Sequence, residues 1–140
     1  MVEMHPVPEE AYSDGRQSLD FPAFAKGLGI EAVEYVNQFF MDRASDSAYL
    51  TEMKSRAEDE GVRSVLIMVD GEGHLAELED EKRNEAVENH KKWVDAAAFL
   101  GCHSIRVNAH GEGSEQEVAD AAVKGLSALS TYPAEKGINV

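Results

Sequence analysis

The sequence predicts an α/β fold built on one parallel sheet, and two observations carry that expectation. The first is a repeated punctuation. Gly29-Ile30, Gly61-Val62, Gly101-Cys102 and Gly137-Ile138 each set a glycine after a helix-like run and directly before an apolar one. Glycine in that place can end a helix in the left-handed conformation. The intervals are 32, 40 and 36 residues, the span of a strand–helix unit when neighbouring strands run parallel and need a crossover helix. The second is one such unit in full. From Gly101 the chain passes through the β-favouring run Ser104–Val107 into a polar loop with Asn108, His110, Gly111 and Gly113. Ser114-Glu-Gln-Glu117 then fits a capping box that opens the next helix. The copies share punctuation and little else, which favours βα units of one sheet over solenoid repeats.

Composition fits one domain. The chain has 140 residues, 43% of them hydrophobic, enough for a modest core. A formal net charge of −14 argues against a nucleic-acid groove, which needs clustered Lys and Arg, and against an anionic membrane surface. No apolar run is long enough for a membrane span and the N-terminus lacks a signal-peptide pattern, so a cytoplasmic location is expected. The single cysteine, Cys102, opens an apolar run and reads as a small buried hydrophobe.

In chain order, residues 1–17 carry prolines, acidic residues and little periodic hydrophobicity, and are expected to be a mobile lead-in to a domain over residues 18–140. Asp20 is a cap candidate, with Pro22 in the first turn of a short helix ending near Gly27 or Gly29. A strand follows over Ala32–Val36, with Glu34 in its middle, either on a solvated face or aimed at a partner within the sheet. Phe39, Phe40 and Met41 read as packing under a loop. Asp46 or Ser47 caps a helix whose apolar positions are Leu50, Met53 and Ala57. Arg63–Val69 is so continuously apolar that a central strand covered on both faces is expected. Asp70-Gly-Glu-Gly-His74 reads as a flexible acidic loop. Beyond it, Lys82–Leu100 is a long helix with Ala86, Val87, His90, Trp93, Val94, Ala97 and Leu100 on one stripe; His90 there suits a hydrogen-bonded core-edge histidine, and Trp93 an anchor. The last helix carries Val118, Ala121, Gly125 and Leu129, and Pro133 is expected to kink or restart it near Tyr132. A short fourth strand begins at Ile138.

Parallel sheets place their chemistry at the carboxyl ends of the strands. Asn37, Asp70, Glu72, His74, Asn108, His110 and Glu112 fall there, the strand-entry glycines at the other end. Carboxylates and imidazoles on one rim can bind a divalent ion or move a proton. Of these, Asn108 directly extends a buried strand. The glycines give no P-loop, since G-x-x-x-x-G-K-[ST] is absent.

Five stretches in order, Phe21–Lys26, Gly29–Phe40, Gly61–Gly73, Phe99–Ala109 and Ala134–Val140, resemble consecutive segments of the sugar phosphate isomerase/epimerase family, the xylose-isomerase-like TIM barrels. The resemblance spans residues 18 to 140. It implies a partial (β/α)8 barrel: three full parallel strands plus the start of a fourth, against the roughly 250 residues a full barrel takes. It also implies, for the full-length family, a divalent metal (Mn, Mg, Co or Zn) and proton transfer between adjacent carbons of a small sugar or sugar phosphate. The family's metal ligands come from strand five onward, so none transfers to this chain, which is expected to hold no cofactor and to be inactive alone. Glu34 and Asn108 match family positions on the second and fourth strands. With Asn37, Asp70 and His110 they make the substrate-pocket candidates, and no catalytic residue is assigned.

No nucleic acid and no membrane is expected as a partner, whereas the open sheet edge invites self-association. The competing expectation is a small non-enzymatic α/β binding or receiver-like module. Receiver chemistry wants an acidic pair after the first strand, an aspartate after the third and a lysine after the fifth; Asp70 alone can be fitted.

Overall fold

The computed structural model describes residues 16–140. The elements are α1 (Arg16–Gly27), β1 (Ala32–Val36), a 3₁₀ segment (Asn37–Arg43), α2 (Ser47–Glu60), β2 (Arg63–Met68), α3 (Asp80–Leu100), β3 (Ser104–Arg106) and α4 (Glu115–Ala134). The expected lead-in lies outside the described residues, except that Arg16 and Gln17 belong to the first turn of α1.

The sheet is parallel throughout, in the order β1-β2-β3. The expected fourth strand is present as one parallel bridge, Ser104 to Asn139, closed by Ile105 N–H to the Asn139 carbonyl and Asn139 N–H to the His103 carbonyl, both 2.9 Å. Consecutive neighbours in chain order are the winding of a (β/α) barrel, whereas a receiver or flavodoxin-like sheet runs 2-1-3-4-5. The chain is therefore a partial (β/α)8 barrel.

Helix ends follow from the glycines. At Gly61 (φ 64°) and Gly101 (φ 82°) the chain enters the left-handed region, and each amide donates back to the last helical carbonyls. The starts of α2 and α4 follow from side-chain caps. The Asp46 side chain accepts from Tyr49 N–H at 3.0 Å, and Ser114 with Glu117 closes the full capping box.

Tyr35, Ile67 and Ile105 stand in one register row across the sheet, all buried beneath the helices. Trp93 of α3 is fully buried and meets the edge of Phe40 at 5.3 Å. Phe40 also touches Tyr35 and Tyr49, so it packs the core as its sequence context suggested. The other face of the sheet differs from expectation. Leu66 and Met68 are only half-buried, and Glu34 and Arg106 are exposed. A central strand needs cover on both faces only when helices flank both. In a barrel the second face turns inward and is filled by side chains from the other strands, and among the described residues no element lies across it.

Two further expectations are corrected. Helix α1 starts before Asp20 and holds Pro22 in its interior. Leu19 and Phe21 pack on the core, Phe21 6.4 Å from Tyr35, and that burial begins a turn before the proline; Asp20, left on the surface, pairs with Arg56 at 2.9 Å. Of the kink or restart expected near Tyr132, the restart does not occur: helix α4 runs on through Pro133 to Ala134. The proline sits in the last turn, where it removes a single helical bond, and its buried ring compensates.

At Gly125 of α4 a Cβ would lie 1.9 Å from the Leu75 carbonyl oxygen, so the helix rests directly on the backbone of the loop after β2. In an open helix Gly→Ala gains about 1 kcal/mol. Here Gly125→Ala is expected to destabilise the chain by about 1 to 3 kcal/mol through overpacking, read as a lower urea midpoint. Burial also pushes the Cys102 thiol up to about 12, so native chain should resist iodoacetamide at mildly alkaline pH and react only when unfolded.

Candidate functional site

The carboxyl ends of β1, β2 and β3 are tied together by amide side chains. Asn37, fully buried at the end of β1, donates Nδ2–H to the Asp70 carbonyl at 2.8 Å and accepts the Asp70 amide on Oδ1 at 2.9 Å. The pair copies one rung of a strand ladder just where β1 and β2 part. From β3, Asn108 donates Nδ2–H to Asp70 Oδ1 at 2.6 Å. Asp70 is thus fixed by its backbone from one side and by its carboxylate from the other.

The loop after β2, read from the sequence as a flexible acidic loop, is partly packed into the molecule. Glu72 is buried; its Oε1 accepts from Trp93 Nε1–H at 2.6 Å and pairs with Lys92 Nζ at 2.9 Å. Leu75 and Ala76 are fully buried, and Ala76 N–H donates to the His110 carbonyl at 3.1 Å. At Gly111 a Cβ would sit 2.0 Å from the Ala76 carbonyl oxygen, so the loops after β2 and β3 touch backbone to backbone. Nothing in the spacing of Gly71 and Gly73 announces this. The signal that could have found it is Glu72 lying 21 residues before the only tryptophan, a separation without meaning until α3 is folded back.

Between these loops lies an open cavity of about 560 Å³, whose lining includes Asp70, His74, His90, Asn108 and His110. His74 and His110 meet edge to face with ring centres 4.8 Å apart. Three of the five sequence candidates, Asp70, Asn108 and His110, therefore border one space. Asn37 is spent on the Asp70 backbone and does not line it. Glu34 points to the uncovered face of the sheet and does not line it either. His90, expected as a core-edge histidine, is 2% exposed, its Nδ1 2.6 Å from the Ala86 carbonyl, and it also reaches the cavity. Burial holds its pKa below the ordinary histidine value, so the ring is neutral at physiological pH.

Among the described residues no three His, Cys, Asp or Glu side chains cluster closely enough to hold a metal ion. The described rim residues do not by themselves fit a divalent ion. No helix of the described residues is long and apolar enough to cross a membrane.

The family model described as xylose isomerase-like TIM barrel matches residues 22–140. Among solved structures, D-psicose 3-epimerase from Clostridium cellulolyticum, crystallised with D-tagatose, aligns with a TM-score of 0.75 at 13% identity, over 92% of this chain and 48% of that one. The 3-keto-D-glucoside 4-epimerase of E. coli gives 0.70 at 15%, over 97% and 51%. A putative xylose isomerase from Rhodospirillum rubrum gives 0.73 at 10%, over 91% and 49%. The chain spans about half the length of these proteins, and at such identities the likeness is one of fold. No curated protein matches the sequence.

Asn37→Ala leaves the Asp70 amide and carbonyl without their partner in a buried place. A loss of about 1 to 3 kcal/mol is expected, with faster hydrogen exchange at the Asp70 amide. His90 sets a pH dependence. Its folded pKa lies below the unfolded value of 6.5, so the unfolded chain takes the proton first as pH falls. Its contribution to stability is complete above about 6.5 and is lost as pH drops toward the lowered folded value. Chemical denaturation at about pH 7.5 and about pH 5.5 should show His90→Phe losing less stability on acidification than the wild type.

Proposed function

The chain belongs to the xylose isomerase-like TIM barrel family, and from that premise we propose that it forms the sugar-binding rim of half an isomerase/epimerase-type barrel. The observation that carries this is the Asp70 carboxylate, held at 2.6 Å by Asn108 at the mouth of the cavity. A carboxylate oriented by a fixed amide accepts hydroxyl protons in a defined direction, which is what recognition of a small sugar or sugar phosphate requires. Asp70, Asn108 and His110 would touch substrate. Asn37 would position Asp70, and Glu34 would face the lumen of a closed barrel.

Support for the substrate class comes from the fold relatives, solved with D-fructose and D-tagatose. Proton transfer between adjacent sugar carbons, and the Mn, Mg, Co or Zn ion expected for it, belong in this proposal to residues other than those described, so the 140-residue chain binds sugar without turning it over. The open edges of β1 and of the Asn139 bridge favour self-association. The lone buried thiol Cys102 suits a reducing, cytoplasmic setting.

The test is calorimetry of the purified chain with D-psicose, D-tagatose and D-fructose, with an epimerisation assay in the presence of manganese. Weak saturable binding without turnover is expected, reduced about tenfold or more by Asp70→Ala. Binding that survives Asp70→Ala unchanged would place the sugar elsewhere, and turnover would show that the described half holds the reacting groups.

A further inference from the structure

His90 has one nitrogen accounted for and one left over. Nδ1 faces a backbone carbonyl, which can only accept, so Nδ1 carries the hydrogen and Nε2 presents a lone pair. Nε2 has no protein partner, yet no buried polar side-chain atom among the described residues is left unsatisfied. An unpartnered atom that is not sealed off must reach open space. For a residue only 2% exposed, the space it borders is the cavity it shares with Asp70 and Asn108.

The tautomer is locked by the helix. The Ala86 carbonyl is four residues before His90 on α3, and the ring cannot turn without losing that bond. The low pKa produced by burial keeps Nε2 an acceptor at neutral pH. No Lys or Arg is among the residues lining the cavity. Its polar equipment therefore includes two fixed acceptors, the Asp70 carboxylate and His90 Nε2, and no permanent cation. Two fixed acceptors without a permanent cation favour hydroxyl donors over phosphate.

We propose that His90 Nε2 is a hydroxyl-recognition point of this cavity, accepting one O–H of a neutral polyol while Asp70 accepts another, so that the cavity takes the unphosphorylated part of its ligand. The proposal rests on the sugar-binding function above and deepens it from sugar or sugar phosphate to the neutral sugar. A core histidine with a purely structural duty would need only Nδ1.

The experiment is a titration of chain labelled with ¹⁵N in its histidine rings, followed at the imidazole nitrogens and backbone amides. D-Psicose is expected to move His90 Nε2 upfield and saturably, together with the Asp70 and Asn108 amides, while D-fructose 6-phosphate binds more weakly and inorganic phosphate does not compete. His90→Phe keeps the ring volume and should weaken D-psicose binding about 3- to 10-fold. Shifts at Asp70 and Asn108 with His90 Nε2 unmoved would overturn this inference and leave the sugar-binding function standing. No shift at any of the three would overturn both. Tighter binding of the phosphorylated sugar, with competition by phosphate, would overturn the neutral-ligand assignment. Should His90→Phe fail to fold, the wild-type nitrogen shifts decide alone.

Discussion

The rim depends on the two hydrogen bonds between the Asn37 side chain and the backbone of Asp70. Parallel strands end in loops that diverge, and without a lateral tie the first residue after β2 would follow its own chain. Asn37 supplies the tie from β1, with donor and acceptor spaced like a peptide group. Because both atoms are buried, the pair exchanges little with water and the alternative, two orphaned polar groups, costs more than the pair gains. Asp70 can then be reached by Asn108 from β3, and the carboxylate acquires a direction. The order of dependence runs from a buried amide to a surface charge.

The same end of the molecule is held from outside by close backbone contact. Gly125 and Gly111 let α4 and the loop after β3 approach the carbonyls of Leu75 and Ala76 where a methyl group would collide. Leu75 and Ala76 are fully buried as a result. Part of a loop of glycines and charges is thereby packed under α4 and the loop after β3, next to Gly71, Gly73 and His74, which line the cavity.

Periodicity and punctuation made most of the scaffold legible. The αL glycines at Gly61 and Gly101, the capping box at Ser114 and the stripe from Ala86 to Leu100 are each local signals, and each stands where the sequence put it. What failed to show was non-local. Asp20, the cap candidate, lies inside α1, whose Phe21 packs on Tyr35. The half-open face of β2 could not be told from a doubly covered one, because a barrel lumen and a helix layer ask for the same Leu and Met. At the rim, Asp70, Asn108 and His110 were picked out by following strand ends and line one cavity, whereas His90 was read from its stripe as a core-edge histidine. It is buried, and it also lines the cavity; a one-dimensional pattern assigns a residue to one face and cannot divide a ring between two.

The only tryptophan of the chain, Trp93, donates its indole hydrogen to Glu72 in the loop that walls the cavity. Indole emission responds to the charge and hydration around that nitrogen. The chain therefore carries an optical reporter wired to its rim: fluorescence registers whether the Glu72 carboxylate is seated, and a change in colour need not mean that the helices have come apart. Unfolding followed by emission and unfolding followed by helicity are consequently two different measurements on this molecule, one of the surroundings of Trp93 and Glu72 and one of the helices.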